Sequence, residues 1–170
     1  VQPAQTEKLA VVTQTTLSVD DAAEITAAVK ARFPHVREPK QQDICYATQN
    51  RQDAVKLMSK AVDVVIVVGS PTSSNSNRLR EVALKLGTDA YMVDSAEELR
   101  AEWIEGKTRI GLTAGASAPD ILVQQVIERL RALGALSVRK LDGVEETIKF
   151  PLPKGLKLDD AGESSLGHLS

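Results

Sequence analysis

An unbroken run of β-branched residues, Val64–Val68, stops in a loop of small polar residues that leads directly into a helical pattern. Such a run is typical of a parallel strand that is buried on both faces. The loop that follows, residues 69–77, contains four serines, two asparagines and one threonine. A strand that ends in this way before a helix presents unpaired N–H groups at a positive dipole end, which suits an anion.

The same order of strand, polar loop and helix is expected at two other places. Leu9–Thr13 is predicted to be a short strand that runs into residues 14–18, and residues 108–113 a strand that runs into residues 114–119. With a further strand at 90–93, the pattern predicts an α/β fold of parallel βαβ units. Ligands of such sheets lie outside the carboxyl ends of the strands, where all three loops are expected.

Capping residues predict where the helices begin and end. Ser18 is a suitable N-cap for a helix over residues 20–33. Pro119 at the first turn and Gly134 after the last one delimit the longest predicted helix, residues 118–133. The remaining helices are expected at residues 49–61, 76–86 and 96–103.

Composition excludes several classes of partner and location. The 170 residues carry a formal net charge of −2 and no basic stripe, so no nucleic-acid partner is expected. No apolar stretch approaches the roughly 18–20 residues that span a bilayer, and no signal peptide is expected at the polar start, Val1–Lys8. A single cysteine fits a reducing compartment, so we expect a cytoplasmic protein.

Cys45 allows two interpretations. It lies just ahead of a predicted helix, where the helix dipole and Arg51 would favour the thiolate. Alternatively, Cys45 is a small apolar residue in the core, since free cysteines are usually buried. The residues alone favour this second interpretation. His35 and His168 lie in a connector and near the end of the chain, so neither a Cys–His dyad nor a zinc site is expected.

The polar loops also allow a capping and a ligand-binding interpretation. One helix needs one cap, so the surplus of donors around Ser73, Ser74 and Asn75 makes an anion-binding role as plausible as capping. Ser117 is more readily explained as an N-cap, and Thr15 carries the weakest signal. Because no GxGxxG or Walker motif is present, a nucleotide fold is not supported. Together the loops resemble a diphosphate cradle made of neutral donors.

Five strings resemble, in order and spacing over about residues 8–152, the LytB/IspH family of 4-hydroxy-3-methylbut-2-enyl diphosphate reductases. They are Thr13–Ser18, Asp43–Thr48, Asn50–Gln52, Ser73–Leu79 and Thr113–Pro119. The resemblance implies three similar α/β domains around a central site. It also implies reductive removal of a hydroxyl from an allylic diphosphate at a [4Fe-4S] cluster, which gives isopentenyl and dimethylallyl diphosphates. An external electron donor such as ferredoxin or flavodoxin is implied as well.

The resemblance assigns roles to six residues. It implies that Cys45 is one of three cysteine ligands of the cluster and that Thr15 lies near the reacting end of the substrate. It places the diphosphate at Ser73, Ser74, Asn75 and Ser117. No residue of this chain is assigned a catalytic role, and the two histidines match no family motif.

The family's other two cysteines, its site histidines and its proton-relaying glutamate have no counterpart here. We therefore interpret residues 1–41 as the remnant of a middle domain, 42–134 as a third domain, 135–152 as a returning segment with a strand at Val144–Phe150, and 153–170 as a disordered tail. One thiolate cannot anchor a cubane cluster, so the chain alone is expected to be inactive. Two alternatives stay open, a cluster-free module that binds phosphorylated small molecules and an inactive fragment.

Overall fold

The computed structural model of the chain describes residues 2–39 and 43–141, in which helices and strands alternate. The elements are α1 (Val19–Arg32), α2 (Tyr46–Ser59), β1 (Val64–Val68), α3 (Ser74–Lys85), β2 (Asp89–Val93), β3 (Ile110–Ala114) and α4 (Asp120–Ala132). Two short 3₁₀ turns, Ala96–Glu98 and Ala101–Trp103, connect β2 to β3. They replace the single helix expected over residues 96–103.

The three strands form one parallel sheet in the order β2–β1–β3. Val68 at the end of β1 is in register with Val93 of β2 and with Ala114 of β3. The carboxyl ends of all three strands therefore lie side by side. This arrangement confirms the predicted α/β fold with a parallel sheet.

Strand β1 is the centre of the core, and all five of its residues are fully buried. Val65 and Val67 pack in one apolar cluster with residues of α2 and α3, such as Val55 and Leu79. The other three side chains of β1 pack on the opposite face with α4, chiefly with Val126 and Leu130. Burying each Val, Leu or Ile side chain contributes about 1.5–3 kcal/mol to folding. These two apolar layers therefore fix the position of the sheet and of the carboxyl ends of its strands.

Several helix boundaries are those that the caps predict. The Ser18 hydroxyl accepts a hydrogen bond from the Asp21 N–H at 3.2 Å, as an N-cap does. Gly87 and Gly134 follow α3 and α4 with φ of 80° and 109°. Only glycine adopts that left-handed backbone without strain, so both helices end where glycine allows the chain to turn.

Two further predictions of local structure are wrong. Leu9–Thr13 is not a strand, because it pairs through a single parallel bridge, Ala10 with Arg37, and the Thr13 N–H turns instead to Asp43 at 2.7 Å. Helix α4 begins at Asp120 with Pro119 as its N-cap, and at 13 residues it is shorter than α1 and α2. A residue that precedes proline is driven out of the helical region, so the helix cannot begin at Ala118.

The predicted strand Val144–Phe150, residues 153–170 and His168 lie outside the described residues. The division into residues 1–41, 42–134 and 135–152 stays a prediction.

Candidate functional site

Two of the polar loops leave the sheet next to each other. The Gly69 N–H donates to the Val93 carbonyl at 2.9 Å, and the Gly115 N–H donates to the Val68 carbonyl at 2.9 Å. Each loop therefore continues the ladder by one hydrogen bond before the chain turns toward α3 or α4. This places residues 69–77 and 114–119 at the same edge, where the sequence predicts a binding site.

Ser76 joins these two loops, and sequence reasoning missed it. Its side chain is 1% exposed and lies against both Gly69 and Gly115. A Cβ atom at either glycine would overlap the Ser76 hydroxyl, so only glycine fits at the two positions. The signal that could have revealed this contact is the glycine that directly follows both β1 and β3.

At the N-terminus of α3, some polar side chains cap the helix and others are left for the edge of the sheet. Ser73 is the N-cap, and its hydroxyl accepts hydrogen bonds from the Ser76 N–H at 3.3 Å and the Ser76 hydroxyl at 3.1 Å. Ser74 is exposed. Asn75 is 8% exposed, and its Oδ1 is buried with no hydrogen-bond partner among the described residues. A buried carboxamide with an unsatisfied end is suited to a ligand, since turning the amide presents a donor.

The electrostatics of the edge favour an anion. The two loops at this edge, residues 69–77 and 114–119, contain no aspartate or glutamate, and Asp120 in the first turn of α4 is the acidic residue that follows them. The N-termini of α3 and α4 add positive dipole ends at the same edge. Arg51 of α2 also reaches it, because its Nη1 donates to the Ala114 carbonyl at 3.2 Å while its Nε is buried without a partner.

Cys45 is exposed at the surface, so the interpretation of a buried core cysteine is wrong. It is the N-cap residue of α2 and makes no side-chain capping bond. Its backbone N–H donates to the Thr15 carbonyl at 3.1 Å. The structure thus brings Cys45, which the resemblance implies to be a cluster ligand, next to the exposed Thr15, which it implies to lie near the reacting end of the substrate.

Ser117 does not cap α4, because Pro119 takes that position. It is exposed in a turn that the Ala118 N–H closes on the Gly115 carbonyl at 3.0 Å. Its hydroxyl is therefore available at the edge, next to the Ser76 contact. His35 is exposed in the turn after α1.

Within the described ranges, no three His, Cys, Asp or Glu side chains gather closely enough to hold a metal ion. An iron–sulfur cluster needs several anchoring ligands, and this chain has one cysteine. The chain by itself therefore does not fit a cluster, although the Cys45 thiol is exposed and makes no capping hydrogen bond, so it is accessible as one ligand. No helix in the part that the structure describes is long and apolar enough to cross a membrane.

Comparison with known proteins assigns the chain to a family. The sequence profile described as "LytB protein" matches residues 1–131. The chain belongs to the LytB family. Among LytB relatives, a protein of Polaromonas sp. (strain JS666 / ATCC BAA-500) named 4-hydroxy-3-methylbut-2-enyl diphosphate reductase is 76% identical, over 100% of this chain and 53% of that protein. One of the same name from Methylibium petroleiphilum is 78% identical, over 88% of this chain and 46% of that protein.

A comparison with solved structures supports the same assignment. The E-1-hydroxy-2-methyl-but-2-enyl-4-diphosphate reductase of Plasmodium falciparum superposes with a TM-score of 0.80 and 33% sequence identity. The match covers 90% of this chain and 49% of the other. The chain therefore spans about half the length of the curated relatives and of the solved structure that it matches.

Proposed function

We propose that this LytB chain is the diphosphate-binding part of a 4-hydroxy-3-methylbut-2-enyl diphosphate reductase. The observation that carries the proposal is the edge around Ser76, where two loops without a carboxylate present neutral donors beside the N-termini of α3 and α4. The names of the relatives supply the substrate class. A diphosphate fits the donors at this edge as well as the names of the relatives, because it is an anion whose oxygens only accept hydrogen bonds.

In this proposal two loops bind the diphosphate and the third lies at the other end of the substrate. Ser74, Asn75 and Ser117 donate to the diphosphate oxygens, and Ser73 holds the start of α3 in position while contributing its own hydroxyl. Thr15 lies beside Cys45 and is assigned to the reacting end. The overall reaction breaks the bond between the allylic carbon and the hydroxyl oxygen, and the bond to the diphosphate stays intact. Two electrons and two protons are consumed: one proton leaves with the hydroxyl as water, and the other forms a new C–H bond.

Cys45 is proposed as one ligand of the [4Fe-4S] cluster that would supply the electrons. The other ligands have to come from outside this chain, which has no second cysteine. We propose an external one-electron donor such as ferredoxin or flavodoxin. A cytoplasmic location stays a prediction.

The proposal is tested by completing the protein. This chain is fused behind the part of the Polaromonas relative that it does not cover, and the chimera is reconstituted anaerobically with iron and sulfide. We expect about four irons per chimera and none above background in this chain alone. The variant Cys45→Ser is expected to lose most of the iron. Unchanged iron content in that variant would remove Cys45 as a ligand, and a stable cluster in the isolated chain would refute the proposed division of ligands.

Ser117→Ala tests the diphosphate site. Losing one hydrogen bond to a charged ligand costs about 1.5–3 kcal/mol, so the affinity of the chimera for the substrate should fall about 10- to 100-fold. Ser137→Ala is the matched control, because Ser137 is also exposed and lies beyond α4. Isothermal titration calorimetry measures both. Equal affinity of the Ser117 and Ser137 variants would contradict a role of Ser117 in binding. Tight diphosphate binding by a chimera that never takes up iron would instead indicate a cluster-free binding module.

A further inference from the structure

Gln52 of α2 is a fully buried polar side chain that bonds to the chain on both sides of Ser18. Its Nε2 donates to the Leu17 carbonyl at 2.8 Å, and its Oε1 accepts from the Val19 N–H at 3.1 Å. The exposed fraction of the residue is 0%. Because both ends of the carboxamide are engaged, its orientation and that of the two peptide groups are fixed together.

A nonpolar residue would not serve at this position. The Val19 N–H belongs to the first turn of α1, where the backbone donors have no partner within the helix. Replacing Gln52 with a residue of similar shape and no polar group would leave that donor and the Leu17 carbonyl unsatisfied in a buried place. Gln52 therefore acts as a cap for α1 that is supplied from another helix.

The same loop is attached to the start of α2 as well. Residues 14–18 carry Thr15, whose carbonyl accepts from the Cys45 N–H at 3.1 Å. Gln52 follows Cys45 by seven residues, which is about two turns of helix, so both attachments lie along one side of α2. Two hydrogen-bonded points on one rigid helix define the position of the loop between them.

We propose that Gln52 is a positioning residue that holds the Thr15 loop against the start of α2 at Cys45. It does not contact the substrate. Its consequence for the reaction rests on the function proposed above, because there Thr15 and Cys45 belong to the reacting end. The ion pairs of Asp20 and Asp21 lie at the surface, and the Thr13 N–H bonds to Asp43 in a partly buried place just before the loop. Gln52 is the fully buried side chain that bonds to the loop itself.

Hydrogen exchange in this chain tests the positioning directly. The probe is the Cys45 amide, which is protected by the Thr15 carbonyl, and the variant is Gln52→Met. We expect the Cys45 amide to exchange about 10- to 100-fold faster in the variant, since two buried partners lose their hydrogen bonds. Gln52→Glu retains the acceptor for Val19 and loses the donor to Leu17, so a smaller acceleration is expected. If Gln52→Met fails to fold, the Gln52→Glu variant still tests the proposal.

Thr88→Val is the matched control. The Thr88 hydroxyl is also buried and donates to a backbone carbonyl, that of Ser59, at 2.9 Å. This bond lies at the far end of α2, so the control should lower overall stability without accelerating exchange at Cys45 by more than about twofold. Equal acceleration by Thr88→Val, or none in either Gln52 variant, would overturn the proposal.

Kinetics of the reconstituted chimera provide a second readout. Gln52→Met should lower kcat while the KM for the diphosphate stays within about threefold, because the diphosphate donors lie on other elements. A raised KM with unchanged kcat would overturn the positioning role in the reaction. A wild-type chimera that takes up iron but does not reduce the diphosphate would refute the proposed function, whereas exchange at Cys45 would still decide whether Gln52 positions the loop.

Discussion

Gly115→Ala is the substitution for which the structure makes the sharpest prediction. Gly115 does not adopt a positive φ, so alanine is compatible with its backbone. The new methyl group would overlap the Ser76 hydroxyl, which is enclosed between two loops and cannot swing into solvent. Overpacking of this kind costs about 1–3 kcal/mol, and we expect a loss of about 2 kcal/mol in the free energy of unfolding.

A second substitution separates this overlap from other effects of alanine. Ser76→Ala removes the hydroxyl and its 3.1 Å hydrogen bond to Ser73, at a cost of about 1 kcal/mol. Its remaining Cβ would lie 3.4 Å from a Cβ at position 115, which a small shift accommodates. The double variant should therefore be hardly less stable than Ser76→Ala alone. The resulting coupling energy between the two sites is about 1–2 kcal/mol.

Gly69→Ala is the contrasting variant. A Cβ at position 69 would lie 2.8 Å from the Ser76 Cβ, so removing the hydroxyl leaves a severe overlap. Ser76→Ala should rescue Gly115→Ala and fail to rescue Gly69→Ala. Urea unfolding of the three single and two double variants measures these differences at constant m-value. Additive losses at positions 76 and 115 would refute the reasoning, and so would equal rescue of both glycine variants.

Two further predictions concern stability away from this contact. Hydrogen bonds from the backbone of Arg109 and from Thr108 lower the pKa of Asp63 from its ordinary 3.8, so the carboxylate contributes stability above pH 3.8 that is lost as pH falls through its lower folded value. Asp63→Asn should therefore have a lower free energy of unfolding in urea than wild type at pH 7, and this difference should become smaller below pH 3.8. A difference that stays constant with pH would contradict the prediction. Leu79→Ala, at a fully buried position, should lose about 2–5 kcal/mol, whereas Leu84→Ala, at a position 46% exposed, should lose under about 1 kcal/mol. Similar midpoints for the two leucine variants would show that the core does not depend on Leu79.

Local patterns predicted the elements that depend on neighbouring residues. The β-branched run at Val64–Val68 predicted a buried parallel strand, and Ser18 and Gly134 predicted helix boundaries, because each signal acts within a few residues. Pro119 was assigned one position too far into its helix, because its φ of −65° suits a helix whereas its ψ of 140° is extended and makes it the N-cap. Leu9–Thr13 has a strand-like pattern, but within the described residues it pairs only through the bridge of Ala10 with Arg37.

Contacts between distant segments could not be predicted in this way. Gln52 bonds to Leu17 across a separation of 35 residues, and nothing near either residue reports the contact. Ser76 is one serine among several, and its role depends on two glycines that follow different strands. Cys45 was favoured as a core residue on the general behaviour of free cysteines, whereas its position before α2 places it at the surface.

The attachment of α1 has a consequence for the effect of ionic strength. Helix α1 buries only Ala22, and its first turn is held by ion pairs of Asp20 with Lys56 and of Asp21 with Lys85 and Arg78. Helix α3, in contrast, is held by buried apolar side chains such as Leu79. Added salt screens exposed ion pairs, with a Debye length of about 3 Å at 1 M, and leaves apolar burial intact. High salt should therefore weaken the surface attachment of α1 while its Gln52 contact and the segment after Ser73 stay unchanged, so that the two sides of the proposed binding site respond differently to the same solution.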